Sequence, residues 1–180
     1  GTRNALLGLA EDCYLEVIAP DPAQVLAGTL GAQLLRYKTP RLRTFAVRCS
    51  SFEDLVPRLA GFGFGHRILE MSRETVGGGE LSWRLLFVSD HPYGARMPFF
   101  IDWLECANPK DTNPVGGEFR ALAITAPDAD DLAGTLHAID LDLAVSAGPP
   151  GMSVTIDSPR GEVVLATTNE TSHMQFGRTH

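Results

Sequence analysis

The chain has 180 residues, of which 44% are hydrophobic and 21% charged, and its formal net charge is -7. These values are typical of a globular protein with a buried core, and the negative charge argues against a nucleic-acid-binding surface. The three cysteines lack a CxxC spacing and support neither a disulfide framework nor a cysteine zinc site, so a cytoplasmic protein is expected. No apolar run reaches the roughly 18 residues of a membrane span, and no membrane partner is expected.

Two β-type runs open the chain. Residues 4–9 and 13–19 are separated by only three residues, which predicts a β-hairpin. Residues 20–22 end the second run with two prolines, and the Ala- and Leu-rich residues 23–35 predict a helix. The chain is therefore expected to begin inside a sheet.

A strand-helix unit follows. Residues 42–49 predict a strand, and Ser50 with Glu53 forms a capping-box pattern that predicts the start of a helix. The predicted buried stripe of this helix consists of Phe52, Leu55, Leu59 and Phe62. Strands are then predicted at 68–72, 81–88 and 97–104, which gives the order β-α-β-β-β.

The same order of elements recurs later in the chain. A strand is predicted at 119–125, a helix with an acidic first turn at 127–139, and strands near 141–146, 151–157 and 161–167. The two strand-helix segments align at an offset of 77 residues, with identical or similar residues at five positions. The first segment has Ala46, Val47, Asp54, Leu55 and Leu59, and the second has Ala123, Ile124, Asp131, Leu132 and Leu136. This match predicts an internal repeat, followed by a tail at 168–180.

Two carboxylates interrupt apolar strands. Period-two alternation sends Phe99, Ile101 and Trp103 to one face of a strand and leaves Asp102 on the opposite, apolar face, where it needs a partner. Glu16 has the same position in the run 14–18. Either the two carboxylates share a site, as metal ligands or as acid and base, or each forms an ion pair with an arginine such as Arg48 or Arg120.

Four segments stand in a characteristic order: Gly1-Thr2-Arg3-Asn4-Ala5-Leu6-Leu7, Tyr14 to Pro22, Phe45-Ala46-Val47-Arg48 and Pro98 to Trp103. In order and spacing they resemble the glyoxalase-like domain proteins, a bacterial branch of the vicinal oxygen chelate superfamily. The resemblance extends from residue 1 to about 167. It implies an α+β fold of repeated βαβββ modules, in which curved mixed sheets surround a pocket and helices lie on the convex side.

The resemblance also implies a division of the chain. Residues 1–37 correspond to an incomplete first module, without its first strand and helix, plus a connecting helix. Residues 38–110 form the second module, 111–167 a shorter third module, and 168–180 the tail. Because a missing strand leaves a sheet edge open, a homodimer or the tail is expected to cover that edge.

For the site, the resemblance implies a divalent metal bound by residues from the first and last strands of paired modules. The last-strand positions here are Glu16 and Asp102, which are the expected metal ligands and catalytic residues. The first-strand candidates Thr44, Ala46 and Arg48 are poor metal ligands. Further ligand-binding candidates on or near the inferred pocket are Asn4, Tyr14, Arg48, Trp83, His91 and Phe100.

Two functions remain open at this point. One is a metal-dependent enzyme of the lyase or isomerase type that acts on a small oxygenated metabolite. The other is a non-catalytic module that binds a small molecule. In either case the expected partner is a small-molecule ligand, with no nucleic acid. The fold alone does not choose between these functions.

Overall fold

A computed structural model of the chain describes residues 1–10, 13–74, 78–104, 106 and 113–174. Over these residues the backbone forms ten strands, four α-helices and one short 3-10 helix at Gly94–Arg96. The strands are β1 (Thr2–Leu9), β2 (Tyr14–Pro20), β3 (Ala46–Arg48), β4 (Gly65–Glu74), β5 (Glu80–Ser89), β6 (Phe99–Asp102), β7 (Val115–Ala126), β8 (Val145–Ala147), β9 (Gly151–Ser158) and β10 (Gly161–Ala166). The helices are α1 (Leu30–Leu34), α2 (Phe52–Gly61), α3 (Ala129–Ala138) and α4 (Asn169–Ser172). The predicted α+β class is confirmed.

The strands of the described residues form two mixed sheets. The order in the six-stranded sheet is β10-β9-β7-β1-β2, with β8 paired to β7, and the order in the four-stranded sheet is β3-β6-β5-β4. β1 is antiparallel to β2 and parallel to β7, and β3 is parallel to β6. None of the helices described is long and apolar enough to cross a membrane.

Internal contacts divide the chain into two compact units. Unit 1 comprises Gly1–Arg41, Asn108–Ala121 and Val154–Leu165, and unit 2 comprises Leu42–Ala107, Leu122–Ser153 and Ala166–His180. The division into three modules with ends near residues 37, 110 and 167 stays a prediction, as does the homodimer.

The predicted hairpin in unit 1 is confirmed, because β1 and β2 pair in antiparallel register from Thr2 opposite Pro20 to Gly8 opposite Tyr14. The predicted helix at 23–35 is wrong in length, since only Leu30–Leu34 is helical. Gly28 has a φ of 73°, in the left-handed region, and this conformation interrupts a right-handed helix.

In unit 2 the N-cap of the first long helix lies one residue later than predicted. The N-cap of α2 is Ser51 rather than Ser50, and Ser51 Oγ accepts the backbone N–H of Asp54 at 3.3 Å. The sequence offered two consecutive serines, and either of them satisfies the capping rule. Phe62 lies beyond the helix and is 44% exposed, so it does not belong to the predicted buried stripe.

The core of unit 2 contains the apolar face of α2. Phe52, Leu55 and Leu59 are at most 5% exposed, and the sheet residues Leu86 and Phe100 are at most 2% exposed. Burial of a large apolar side chain contributes about 2 kcal/mol. This apolar stripe therefore fixes α2 on one face of the four-stranded sheet.

The predicted repeat appears in the helices but not in the strand pairing. α2 and α3 each have ten residues and begin 77 residues apart, as the sequence offset predicts. However, β3 pairs in parallel with β6, which is the third strand after α2. In the second segment β7 pairs in parallel with β8, which is the first strand after α3. The strand-helix joint is thus duplicated, while the arrangement of the following strands differs.

The predicted tail contains a short helix. Thr168 caps α4 in a capping box with Thr171, and Thr171 and Ser172 are at most 1% exposed. The carbonyl oxygen of Ser172 lies close to Gly94, where the bulk of a side chain would collide with it. Residues 175–180 of the tail lie outside the described residues.

Replacement of Leu59 by Ala tests the packing of α2. Leu59 is 0% exposed, so the variant should lower the free energy of unfolding by about 3 kcal/mol through lost burial and a residual cavity. The matched control is Leu35→Ala, whose side chain is 63% exposed and whose loss should cost less than about 0.5 kcal/mol. Urea denaturation measures both, and equal losses would contradict the assigned packing.

Candidate functional site

The predicted site residues occur in both compact units. Unit 1 contains Asn4, Tyr14 and Glu16. Unit 2 contains the other five, which are Arg48, Trp83, His91, Phe100 and Asp102. Within each unit, the strand registers decide which of these side chains share a face, because successive residues of a strand point to opposite sides.

In unit 1 the hairpin brings three predicted residues to one face. Leu6 lies opposite Glu16, so Asn4 is a diagonal neighbour of Glu16, and Asn4 Nδ2 donates a hydrogen bond to Glu16 Oε1 at 2.7 Å. Tyr14 precedes Glu16 by two residues on the same face. Burial raises the pKa of Tyr14 to about 12, and the charge of Glu16 contributes to this shift. Asn4, Tyr14 and Glu16 therefore form one polar group.

Asp102 is paired with Arg84, the residue opposite it on β5. Arg84 Nη2 and Nε donate to Asp102 Oδ2 at 2.6 and 3.1 Å, and these bonds raise the pKa of Arg84. Asp102 Oδ1 accepts the backbone N–H of Leu104 at 2.9 Å. Leu104 has a φ of 52°, a conformation that leucine disfavours, so Asp102 also stabilises the turn that follows β6.

The arginines predicted as ion-pair partners were the wrong ones. Arg120 pairs with Asp157 and Glu118, and Arg48 makes no ion pair with any described residue. The identity of the true partner, Arg84, depends on the antiparallel register between β5 and β6, which local sequence does not reveal.

Arg84 and Asp102 lie on the face of the sheet that carries α2. The Arg84 guanidinium lies 5.1 Å from the centre of the Phe52 ring and donates to Glu53 at 3.4 Å. Both contacts are in the first turn of α2. We call this the helix face; its members on the two central strands are Glu80, Ser82, Arg84, Leu86, Val88, Phe100 and Asp102.

The opposite side of the same sheet, the aromatic face, carries four aromatic residues and aliphatic residues between them. Trp83 and Trp103 have ring centroids 5.7 Å apart, and Phe87 and Phe99 are stacked at 5.3 Å. Arg67 lies over the Phe87 ring at 5.9 Å. By register, the face consists of Ala46, Arg48, Arg67, Leu69, Met71, Arg73, Leu81, Trp83, Leu85, Phe87, Phe99, Ile101 and Trp103.

This alternation separates the predicted site residues of unit 2. Trp83 and Arg48 lie on the aromatic face, whereas Phe100 and Asp102 lie on the helix face, where Phe100 is 2% exposed. The predicted alternation of Phe99, Ile101 and Trp103 is confirmed. The aromatic side chain of Trp83 and the carboxylate of Asp102 therefore lie on opposite faces of the sheet.

His91 is buried in the loop before β6. It is 4% exposed, its Nδ1 accepts the backbone N–H of Tyr93, and its ring stacks on the Tyr93 ring with a centroid distance of 6.1 Å. Phe64 packs edge-on against both rings. These contacts give His91 a packing role within unit 2.

The environment of Asp102 does not fit a divalent metal. Its Oδ2 accepts two hydrogen bonds from a guanidinium, and a positive charge at 2.6 Å opposes the binding of a cation. The other carboxylates of the helix face do not adjoin Asp102: Glu70 lies across Arg84 from it by register, and Glu53 contacts Arg84 from α2. Among the described residues, no group of three or more His, Cys, Asp or Glu side chains has the arrangement that a metal needs.

A cavity of about 280 Å³ lies on the helix side of unit 2, between β3, the N-terminal half of α2 and the segment after α3. Phe100 is among its lining residues, and so is Arg48, the last residue of edge strand β3, which therefore borders this cavity as well as the aromatic face. Two of its polar groups have partners, because Ser51 caps α2 and Arg58 pairs with Asp140. Arg48, Ser50 and Asp54 also line the cavity, so a ligand there would meet a largely polar surface.

The sequence did not single out Arg67, Phe87, Phe99 or Trp103 as site residues. The alternation in β6 indicated that Phe99 and Trp103 share a face, but their cross-strand partners on β5 follow only from the register. Arg67 joins the group through the long hairpin of β4 and β5, where it lies opposite Phe87.

Comparison with known proteins gives two findings. The family model described as a glyoxalase-like domain matches residues 1–139. A crystal structure of a hypothetical protein from Staphylococcus aureus has a similar fold, with a TM-score of 0.56 and 14% sequence identity, over 93% of this chain and 71% of that chain. At this identity the similarity concerns the fold alone. No curated protein sequence matches the chain significantly.

Replacement of Arg84 by Met tests the role of the ion pair. Asp102 is 7% exposed and would lose its counter-charge, so the variant should unfold about 2 kcal/mol more easily. The double variant Arg84→Met with Asp102→Leu removes the stranded charge and should recover most of this loss. Urea denaturation of the three proteins provides the measurement; wild-type stability of the single variant would disprove the structural role.

The polar group of unit 1 predicts a pH dependence. The folded pKa of Tyr14, about 12, exceeds the free value of about 10, so the folded state holds the proton more tightly. This contribution to stability is present below pH 10 and is lost as the pH rises from 10 to 12. Spectroscopic titration of wild type against Tyr14→Phe isolates the residue. Glu16→Gln should lower the pKa of Tyr14 only in part, because burial is the larger cause of the shift. A pKa of about 10 for Tyr14 in the folded wild type would contradict its burial beside Glu16.

Proposed function

The chain belongs to the glyoxalase-like domain family, and from this premise we propose that it binds a small molecule on the aromatic face of its four-stranded sheet. Proteins of this family often bind small molecules, and often divalent metals. We propose that binding here is non-catalytic and needs no metal. The alternative is a metal-dependent lyase or isomerase that uses Glu16 and Asp102.

The observation that carries the proposal is the composition of the aromatic face. Two tryptophans and two phenylalanines occur as cross-strand pairs on one surface, with Leu85 and Ile101 between the pairs. All four aromatic side chains are only half-buried. Partly accessible aromatic side chains of this kind suit the face of a ring or a fused-ring molecule.

The bonding of Asp102 supports binding over metal chemistry. Asp102 is engaged with Arg84 and with the Leu104 backbone on the helix face, whereas the aromatic side chains occupy the other face. A carboxylate that holds an arginine and a turn is already used structurally. A ligand on the aromatic face would meet rings, aliphatic side chains and arginines.

The chain has two tryptophans, Trp83 and Trp103, and both lie on the aromatic face. N-phenyl-1-naphthylamine, a neutral aromatic probe, should therefore accept energy from tryptophan fluorescence on binding. The double variant Trp83→Leu with Phe87→Leu should weaken probe binding about tenfold, because each lost aromatic contact is worth about 0.5–1.5 kcal/mol. The control Phe119→Leu changes a 41% exposed aromatic residue of β7 and should leave binding unchanged.

The same titration distinguishes the enzyme alternative. Binding of the probe should be equal in EDTA and in added Zn²⁺ or Mn²⁺. Stoichiometric metal in the purified protein that is lost in both Glu16→Ala and Asp102→Ala would support the enzyme instead. Probe binding that the double aromatic variant leaves unchanged would refute the aromatic face as the site.

A further inference from the structure

The aromatic face has a charge distribution opposite to that of the whole chain. The formal net charge of the protein is -7, yet the face carries three arginines, Arg48, Arg67 and Arg73, and no carboxylate. The acidic residues of the same four strands all have the other parity, namely Glu70, Glu74, Glu80 and Asp102. The surface is thus both aromatic and cationic.

None of these three arginines makes a hydrogen bond or ion pair with another residue in the part of the chain that the structure describes. Arg67 is the most constrained of them. Its guanidinium lies over the Phe87 ring at 5.9 Å, and its Nε is buried without a hydrogen-bond acceptor. Only Nε of the guanidinium is buried, so the two terminal nitrogens of Arg67 are the donors that an acceptor on this face can reach.

The sheet register positions Arg67 at the end of an aromatic row. Arg67 lies opposite Phe87 on β5, and Phe87 lies opposite Phe99 on β6. Neighbouring strands are about 4.8 Å apart, so a ring resting on the phenylalanine pair would reach Arg67 with one substituent. A carboxylate, sulfonate or phosphate at that position would accept N–H groups of the two terminal guanidinium nitrogens, Nη1 and Nη2.

We infer that the molecule bound on the aromatic face is a flat aromatic compound with one anionic group, held by Arg67. This inference rests on the proposed function and specifies the class of its ligand. A small molecule is favoured over single-stranded nucleic acid, although nucleic acid also combines stacked rings with negative charge. A protein with a net charge of -7 repels a long polyanion, whereas a single anionic group meets only the local arginines.

Two fluorescent probes with the same ring system test the inference. 1-Anilinonaphthalene-8-sulfonate carries a sulfonate as the anionic group, and N-phenyl-1-naphthylamine lacks it. The wild type should bind the sulfonate probe more tightly. Arg67→Met keeps the length of the side chain but removes the charge, and should weaken the sulfonate probe at least tenfold while changing the neutral probe less than twofold. Arg67→Lys should retain part of the preference. The control is Arg160→Met, in the turn between β9 and β10, which should change neither probe.

The outcomes separate this inference from the proposed function. Equal weakening of both probes by Arg67→Met, or no effect on either, would overturn the role of Arg67, while the neutral probe still reports on the aromatic face. Displacement of the sulfonate probe by micromolar octathymidylate in 0.15 M salt would overturn the small-molecule assignment in favour of nucleic acid. The inference is supported if Arg67→Met weakens binding of the sulfonate probe but not of the neutral probe, and if the oligonucleotide does not displace the sulfonate probe from the wild type.

Discussion

The ion pair between Arg84 and Asp102 lies on the side of the four-stranded sheet that carries α2, which leaves the opposite side as the proposed ligand-binding face. It fixes two adjacent strands in register, and the guanidinium also contacts Phe52 and Glu53 at the start of α2. The pair and the helix therefore occupy the same face. Because alternation in a strand is strict, every aromatic side chain one residue away points to the opposite face. One charge interaction thus separates a structural surface from a candidate binding surface.

Much of the local structure followed from the sequence because it depends on neighbours along the chain. The hairpin of β1 and β2, the alternation in β6 and the two helices 77 residues apart are properties of short segments. The errors were also local in origin. Two adjacent serines could each cap α2, and Gly28 could join a helix or adopt the left-handed conformation that it has.

The candidate site could not be predicted to the same degree. A carboxylate on an apolar strand predicts a partner, and Asp102 has one, but the choice of Arg84 over Arg48 depends on which strand lies beside β6. The same long-range pairing joins Trp83 to Trp103 and Phe87 to Phe99. Alternation within one strand shows which of its own side chains share a face. The other side chains on that face belong to three other strands, whose pairing the local sequence does not reveal. The sequence therefore included Trp83 among the candidate residues and did not include Arg67.

The separation of charge between the two faces follows from this pairing. Register sets Arg84 between Asp102 on β6 and Glu70 on β4, and Glu53 approaches it from α2. Arg84 thus forms ion pairs with two of these carboxylates, Asp102 and Glu53, on the helix face. Arg48 and Arg67 have the other parity, and a sheet separates them from those carboxylates. An acidic protein can in this way keep arginines without an ionic partner among its described residues beside a row of aromatic rings, where the proposed ligand would supply the negative charge.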